Sequence, residues 1–273
     1  MRKSILAVHI ALALLMAVAF LGCPRPEQAT KVYVLINAAD DAKALKAELP
    51  VGEIESLTVT VTEIELSPAD ETGEEQLLFT GSMDVNLFDL TDISQVLSSA
   101  EVAPGTYGQI RLEIENPRLV LKADPETVIT DDIQLTANGH LFISGEFEIS
   151  EGESQLLVLG FGGIHLVETG NGKYVLTPQL RADLEVSDAA GLVVGPIASA
   201  DTDSMVVMLE DGTTVDVDIS AAVIYLPTDT DTPTGTIADL VVDAVVQVEG
   251  LFSLDGTLAA DVVRIQPAAP PAP

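Results

Sequence analysis

The sequence is poor in the residues from which many catalytic and binding sites are built. Its 273 residues include one cysteine, no tryptophan and three histidines, and aromatic residues make up only 4%. With Cys23 as the single cysteine, no internal disulfide can form, and the folded body has neither a thiol nucleophile nor a cysteine metal cluster. The scarcity of aromatic rings does not favour a glycan-binding platform, because such platforms commonly present an apolar ring face.

Basic residues are also scarce in this sequence. Lys and Arg number 12 against 43 Asp and Glu, which gives a formal net charge of −31. This charge repels phosphate backbones and anionic headgroups, so neither nucleic acid nor an anionic lipid surface is expected as a direct partner. Solubility in a salty or divalent-rich medium explains the acidity more simply than dedicated cation binding, which stays as the alternative. Hydrophobic residues make up 47%, enough to build a core.

The first 23 residues have the layout of a secretory signal. Arg2 and Lys3 precede an apolar run over 5–20, and Gly22 stands immediately before Cys23. The alternative is an uncleaved transmembrane anchor, for which the apolar run is near the lower length limit. A lone cysteine directly after a small residue favours the cleaved form.

This segment resembles a bacterial lipoprotein signal, with Phe20-Leu21-Gly22-Cys23 in the lipobox position, although Leu is usual where Phe20 stands. The resemblance implies that residues 1–22 are removed and that Cys23 receives diacylglycerol and acyl chains such as palmitate. Loss of two positive charges would lower the net charge from −31 to −33. Two or three chains at about 0.8 kcal/mol per buried CH₂ give a durable anchor. Residues 23–30 then form a short tether, and the location implied is the cell envelope, facing the periplasm or the surface.

The body is dominated by short segments in which apolar and polar residues alternate. Glu53–Leu66 alternates with one phase slip, which predicts a half-buried antiparallel strand with a bulge. Short helices are predicted at Ala38–Leu49 and after Thr91 or Asp92. Turn signals about every ten residues predict an antiparallel β-sandwich over residues 31–188. Further strands are predicted at Lys31–Asn37, Leu77–Phe79 and Gln109–Leu121, and near 133–137, 140–149, 155–160, 164–168 and 173–186.

The composition of the strand-like segments changes at Gly191. Six valine-rich segments follow, and Asp211-Gly212 between two of them predicts a hairpin. We therefore predict a small β-barrel-like domain over residues 189–266 and a disordered Pro/Ala tail over 267–273. The overall class is all-β, with two independently folding units divided between residues 188 and 191.

Two families are suggested by the order of these segments. Residues 31–186 resemble the DUF4382 family of bacterial lipoprotein domains through VYVLIN, TVTVTEIEL, VNLFDLTDISQVL, APGTYGQIRLEI and YVLTPQLRADL. The family's usual exit turn is replaced by Asn37-Ala38-Ala39-Asp40. Residues 191–265 resemble the DUF5666 family of small all-β domains through GLVVGPIASADTDSMVVMLEDGTTVDVD and VVQVEGLFSLDGTLAADVVRI, with Ala244 where a Gly is usual. Neither family has an established activity, so the resemblance implies architecture and location.

Catalytic signatures are absent from the sequence. It contains no Gly-x-Ser-x-Gly, P-loop or dinucleotide-binding motif. Gly160–Gly163 has no helix after it to hold a phosphate, which favours a bulge or tight turn. His140 and His165 are interpreted as unrelated strand positions rather than as a metal pair. We expect the protein not to be an enzyme.

Calcium is the one cofactor for which candidates exist. Asp201 with Asp203, and Asp229 with Asp231, are alternating carboxylates of the kind that Ca²⁺ prefers. Neither pair completes a calcium-binding loop, so solvated acidic loops are the favoured interpretation.

Tyr107 follows a Pro-Gly turn and is predicted to bury its ring and bond its hydroxyl to the backbone. A structural role for it is favoured over a role in stacking a ligand.

The function these observations favour is a non-catalytic, lipid-anchored envelope protein that binds or scaffolds an unidentified envelope protein or glycan. The alternatives are a Ca²⁺-dependent adhesion or glycan-binding module and, less favoured, an envelope enzyme.

Overall fold

A computed structural model of the protein describes residues 29–38, 53–70, 73–87, 93–152, 154–169, 172–185, 188–228 and 232–267. These ranges contain sixteen strands and two short 3-10 helices, at Thr136–Gly139 and Ile237–Asp239. The strands are β1 Thr30–Ala38, β2 Ile54–Pro68, β3 Gln76–Asn86, β4 Ser94–Val102, β5 Gly105–Leu121, β6 Asp124–Ile129, β7 Ile133–Leu135, β8 His140–Ile149, β9 Gln155–Glu168, β10 Tyr174–Glu185, β11 Ala189–Ala200, β12 Ser204–Met208, β13 Thr214–Asp218, β14 Val223–Tyr225, β15 Val245–Phe252 and β16 Thr257–Ile265. The predicted all-β class is confirmed.

Two sheets form the sandwich of the first unit. The open sheet has the order β3-β2-β5-β6, with β8 also paired to β5. The covered sheet has the order β4-β1-β9-β10-β7. Between them, the inward side chains of both sheets make one hydrophobic cluster, which includes Val34, Leu57, Ile64, Leu112 and Leu159. Alternation in β2 directs its apolar residues into this cluster, and register shifts along β2 confirm the predicted bulge.

The sandwich contains parallel pairings that the sequence pattern did not predict. β1 runs parallel to β9, and β7 runs parallel to β10, whereas the other described pairings within the two sheets are antiparallel. The reason is sequence separation. A tight hairpin imposes opposite directions on two strands, but no hairpin joins β1 to β9 or β7 to β10.

Two predicted segments differ in the structure. The segment after Asp92, which was predicted to be a short helix, is a strand, β4. Its Ser- and Val-rich residues pair with β1, and this pairing outweighs the local preference for a helix. The two strands predicted around Gly160–Gly163 are one strand, β9, with a register shift in that cluster, so the predicted bulge is confirmed. The helix predicted at Ala38–Leu49 lies almost wholly outside the described residues.

The second unit is a closed barrel of five strands. β11 pairs with both β12 and β15, and the ring is completed through β13 and β16. Inside it lies a second cluster of mostly β-branched side chains, such as Ile197, Val207, Val217 and Val248. Gly212 takes a φ of 83° at the predicted hairpin, a conformation that favours glycine. The predicted small barrel is thus confirmed.

The barrel and the covered sheet share a hydrophobic cluster. Tyr33 and Leu35 of β1 point away from the sandwich core and pack with the barrel interior. The rings of Tyr33 and Phe252 meet edge to face with centroids 5.2 Å apart. A Cβ on Gly256 would lie 1.8 Å from the Tyr33 hydroxyl, so only glycine fits there. β11 also pairs with β4 at Gly191 and Leu192, which extends the covered sheet into the barrel.

Candidate binding face on the open sheet

The outer face of the open sheet is built from two rows of side chains that cross four strands. Directly paired residues project to the same face of a sheet, so the strand register defines the rows. The first row is Leu77, Glu65, Arg111 and Phe142, and the second is Thr80, Glu63, Glu113 and His140. We call these eight residues the open face.

Two carboxylates of the open face contact one guanidinium, and a third carboxylate lies in the neighbouring row. Arg111 Nη2 lies 3.4 Å from Glu63 Oε1 and also bonds Glu65 Oε2. Glu113 lies beside them in the second row. With His140 neutral, three carboxylates and one guanidinium leave two negative charges in excess at this centre.

The electrostatics of Glu65 reflect that excess. Its side chain is only 15% exposed, and this burial raises its pKa above the ordinary value. Arg111 opposes the rise in pKa, whereas the carboxylates of Glu63, Glu75 and Glu113 add to it. Burial and the neighbouring carboxylates together therefore outweigh the effect of Arg111 on the pKa of Glu65.

His140 lies within hydrogen-bond distance of Glu113 at the edge of the second row. The His140 Nδ1 atom lies 2.9 Å from Glu113 Oε1, and the two side chains are 48% and 31% exposed. A catalytic pair is usually more enclosed, since a water-excluded site strengthens its electrostatics. His165 lies on the covered sheet, opposite Thr177, so the two histidines are in different sheets.

Apolar side chains stand at both ends of the first row. Phe142 is 54% exposed and Leu77 is 52% exposed. A large apolar side chain held in solvent on a regular strand contributes little to folding, and such groups are common contacts at interfaces. The open face therefore combines a negative centre with apolar ends.

The candidate calcium ligands fall partly within the described residues. The Asp201 N–H donates to the Ser204 carbonyl at 2.7 Å, which closes the turn between β11 and β12, and the Asp203 carbonyl accepts from the Ile219 N–H at 2.9 Å. Asp203 also lines a depression of about 450 Å³ with Asp216 and Asp218. Among the described ranges, no group of three or more His, Cys, Asp or Glu side chains is arranged to hold a metal.

The remaining candidates lie elsewhere in the chain. Asp229 and Asp231 are outside the described residues, as is Cys23. None of the helices in the described ranges is long and apolar enough to cross a membrane.

Tyr107 occupies the structural position predicted for it. Its ring is 4% exposed, and its hydroxyl donates to the Ala103 carbonyl at 2.7 Å. Burial raises the pKa of the Tyr107 hydroxyl. The bond ties the turn between β4 and β5 to the strand that carries Arg111 and Glu113.

The open face itself was not predicted as a site. The alternating segments TEIEL and QIRLEI place Glu63, Glu65, Arg111 and Glu113 outward on two strands, and this much is readable from the sequence. Their convergence depends on the register of β2 against β5, which includes several bulges. The signal in the sequence that could have indicated this face is the presence of charged residues at consecutive outward positions of both strands.

Comparison with known proteins identifies one family. The sequence model of the family described as "Domain of unknown function (DUF4382)" matches residues 41–178. The chain belongs to this family. The DUF4382 match covers the whole open sheet, since β2, β3, β5, β6 and β8 all lie within it, while β1 and the barrel lie outside it. No curated protein and no solved structure matches the chain.

Proposed function

We propose that this DUF4382 protein is a non-catalytic, lipid-anchored module of the bacterial cell envelope that binds or scaffolds another envelope molecule. The observation that carries the location is the lone Cys23 directly after Gly22, at the end of the apolar run. In this proposal residues 1–22 form the signal peptide and Cys23 bears the lipid.

The fold supports an anchor at this point of the chain. β1 begins at Thr30, only seven residues after Cys23. Seven residues span at most roughly 25 Å, so the body would stay close to the lipid surface. The Thr30 hydroxyl donates to the Ser150 carbonyl, which fixes the start of β1 to the body.

The division of labour between the two units supports a binding or scaffolding role. The C-terminal barrel, which resembles DUF5666, lies against one outer face of the sandwich and leaves the open face available for a partner. Enzymatic activity is not favoured, because the His140–Glu113 pair is partly exposed on the outer side of a sheet.

Replacement of Cys23 tests the anchor. We expect Cys23→Ser to move the protein from the membrane fraction to the soluble fraction and to abolish the mass increase of a diacylglyceryl group. A matched control adds Ser154→Cys to Cys23→Ser, which restores a thiol away from the lipobox and should leave the protein soluble. Retention of the Cys23→Ser variant in membranes with an unchanged mass would contradict the proposal.

A further inference from the structure

The open face has a shape and a chemistry that select among partners. Neighbouring strands lie about 4.8 Å apart, so a row across four strands spans roughly 14 Å. Along the first row, the two exposed apolar side chains, Leu77 and Phe142, enclose the Glu65–Arg111 ion pair. Its groups come from hydrogen-bonded strands of one sheet, which hold them in position.

A metal ion explains this arrangement poorly. Glu63 and Glu65 are engaged by Arg111, and within the described ranges no group of carboxylates and histidines is arranged as a metal site. A metal ion would also leave the exposed rings and methyl groups of Phe142 and Leu77 without a role.

A polypeptide supplies both kinds of contact. Basic side chains would pair with the excess carboxylates, and apolar side chains would cover Phe142 and Leu77. Charge complementarity steers such a partner and selects against acidic ones, while a buried aromatic contact contributes most of the affinity. The overall charge of −31 makes basic segments the favoured class.

We propose that the open face binds a basic polypeptide segment that carries apolar side chains between its charges. This inference rests on the proposed function, and it names the chemical class of the envelope partner. The occupant is thus a protein segment with arginine or lysine alternating with leucine-like residues.

The test uses residues 23–273 with Cys23→Ser, which keeps every described residue and does not depend on lipidation. The probes are two seven-residue peptides of equal charge, one alternating arginine with leucine and one alternating arginine with glycine. At about 0.15 M salt, where long-range attraction is largely screened, we expect the leucine peptide to bind at least about tenfold more tightly, a difference of about 1.4 kcal/mol. Amide shifts in NMR spectra should concentrate in β2, β5 and β8.

Matched variants separate the face from general charge attraction. Phe142→Ser should weaken the leucine peptide at least about tenfold, whereas Leu251→Ser, an exposed apolar position on the barrel, should change it less than about twofold. The double variant Glu63→Gln with Glu113→Gln should also weaken it at least about tenfold. Removal of two charges elsewhere, by Glu126→Gln with Asp261→Asn, should not. Denaturant melts of each variant establish that it is folded.

Two kinds of result would overturn the inference. Equal binding of the two peptides, or equal loss in the two double variants, would mean that net charge alone attracts basic segments. Stoichiometric binding of Ca²⁺ at this face, unaffected by Phe142→Ser, would assign it to a cation instead. Neither result would bear on the lipid anchor, which is tested separately by the fractionation of Cys23→Ser.

Discussion

The covered sheet and the open sheet both have an apolar inner face, but the chemistry of their outer faces differs. The outer side of the covered sheet presents Tyr33, Leu35, Leu156 and Val158, all buried with the barrel core. On the open sheet the corresponding side carries charged, half-exposed groups around Arg111. The barrel therefore buries the outer side of β1 and of the first half of β9, whereas the open sheet is buried on its inner face only. This difference separates a surface that is buried on folding from a surface that stays exposed to solvent.

The largest expected effect comes from removing the barrel. A chain that ends at residue 188 would expose the apolar outer face of the covered sheet, so we expect it to aggregate or to lose most of its stability.

For the intact chain the shared cluster leads us to expect one cooperative unfolding transition. The change of composition near Gly191 predicts two transitions instead. Calorimetry of the full chain, with limited proteolysis at 228–236, decides between them.

A matched pair of aromatic truncations gives the next largest effect. Tyr33→Ala removes a buried ring from the interface with Phe252 and should cost about 3–5 kcal/mol of unfolding free energy. Phe142→Ala removes an exposed ring from the open face and should cost less than about 0.5 kcal/mol. Urea melts of both variants measure the difference. Equal costs would mean that the barrel does not cover the sheet in solution.

The sequence predicts the strands better than it predicts what covers them. In β2 the alternation TVTVTEIEL correctly indicates one buried and one exposed face. In β1 the nearly continuous apolar run KVYVLIN is the signature of a strand buried on both faces, but so short a run does not identify the second covering layer. The Tyr33–Phe252 contact joins residues 219 positions apart, and only the tertiary fold brings them together. The same holds for the open face, whose rows depend on the register of four strands.

Tyr107 tests the support beneath the open face. Tyr107→Ala should cost about 3–5 kcal/mol, because it truncates a buried ring. Tyr107→Phe keeps the ring and loses only the bond to Ala103, so we expect about 0.5–1.5 kcal/mol. Denaturant melts of the two variants separate packing from hydrogen bonding. Near-wild-type stability of Tyr107→Ala would place the ring in solvent and make it a candidate for ligand contact.

The smallest effects concern pH, and they have opposite signs within the open sheet. Hydrogen bonds from Arg118 and Thr60 hold the pKa of Asp84 below its ordinary value, with the Arg118 Nη2 atom 2.6 Å from its carboxylate. Its contribution to stability is therefore present above the unfolded pKa, near 3.9, and is lost as the pH falls through the folded value. Burial raises the pKa of Glu65 instead, so the folded state binds that proton more tightly. Stability then declines as the pH rises from the unfolded pKa, near 4.3, through the folded value.

Two substitutions separate these contributions. Asp84→Asn should lower stability at pH 7 by less than about 1 kcal/mol, because its ion pair is half exposed, and should flatten the acid side of the stability profile. Glu65→Gln removes the charge whose burial is unfavourable, while its amide oxygen can still accept from Arg111. It should leave stability at pH 7 unchanged or slightly higher, and the gain should disappear below about pH 4. Melts from pH 3 to pH 8 measure both profiles. A loss of stability in Glu65→Gln as large as that in Asp84→Asn would show that the attraction of Arg111 outweighs the cost of burying the Glu65 carboxylate.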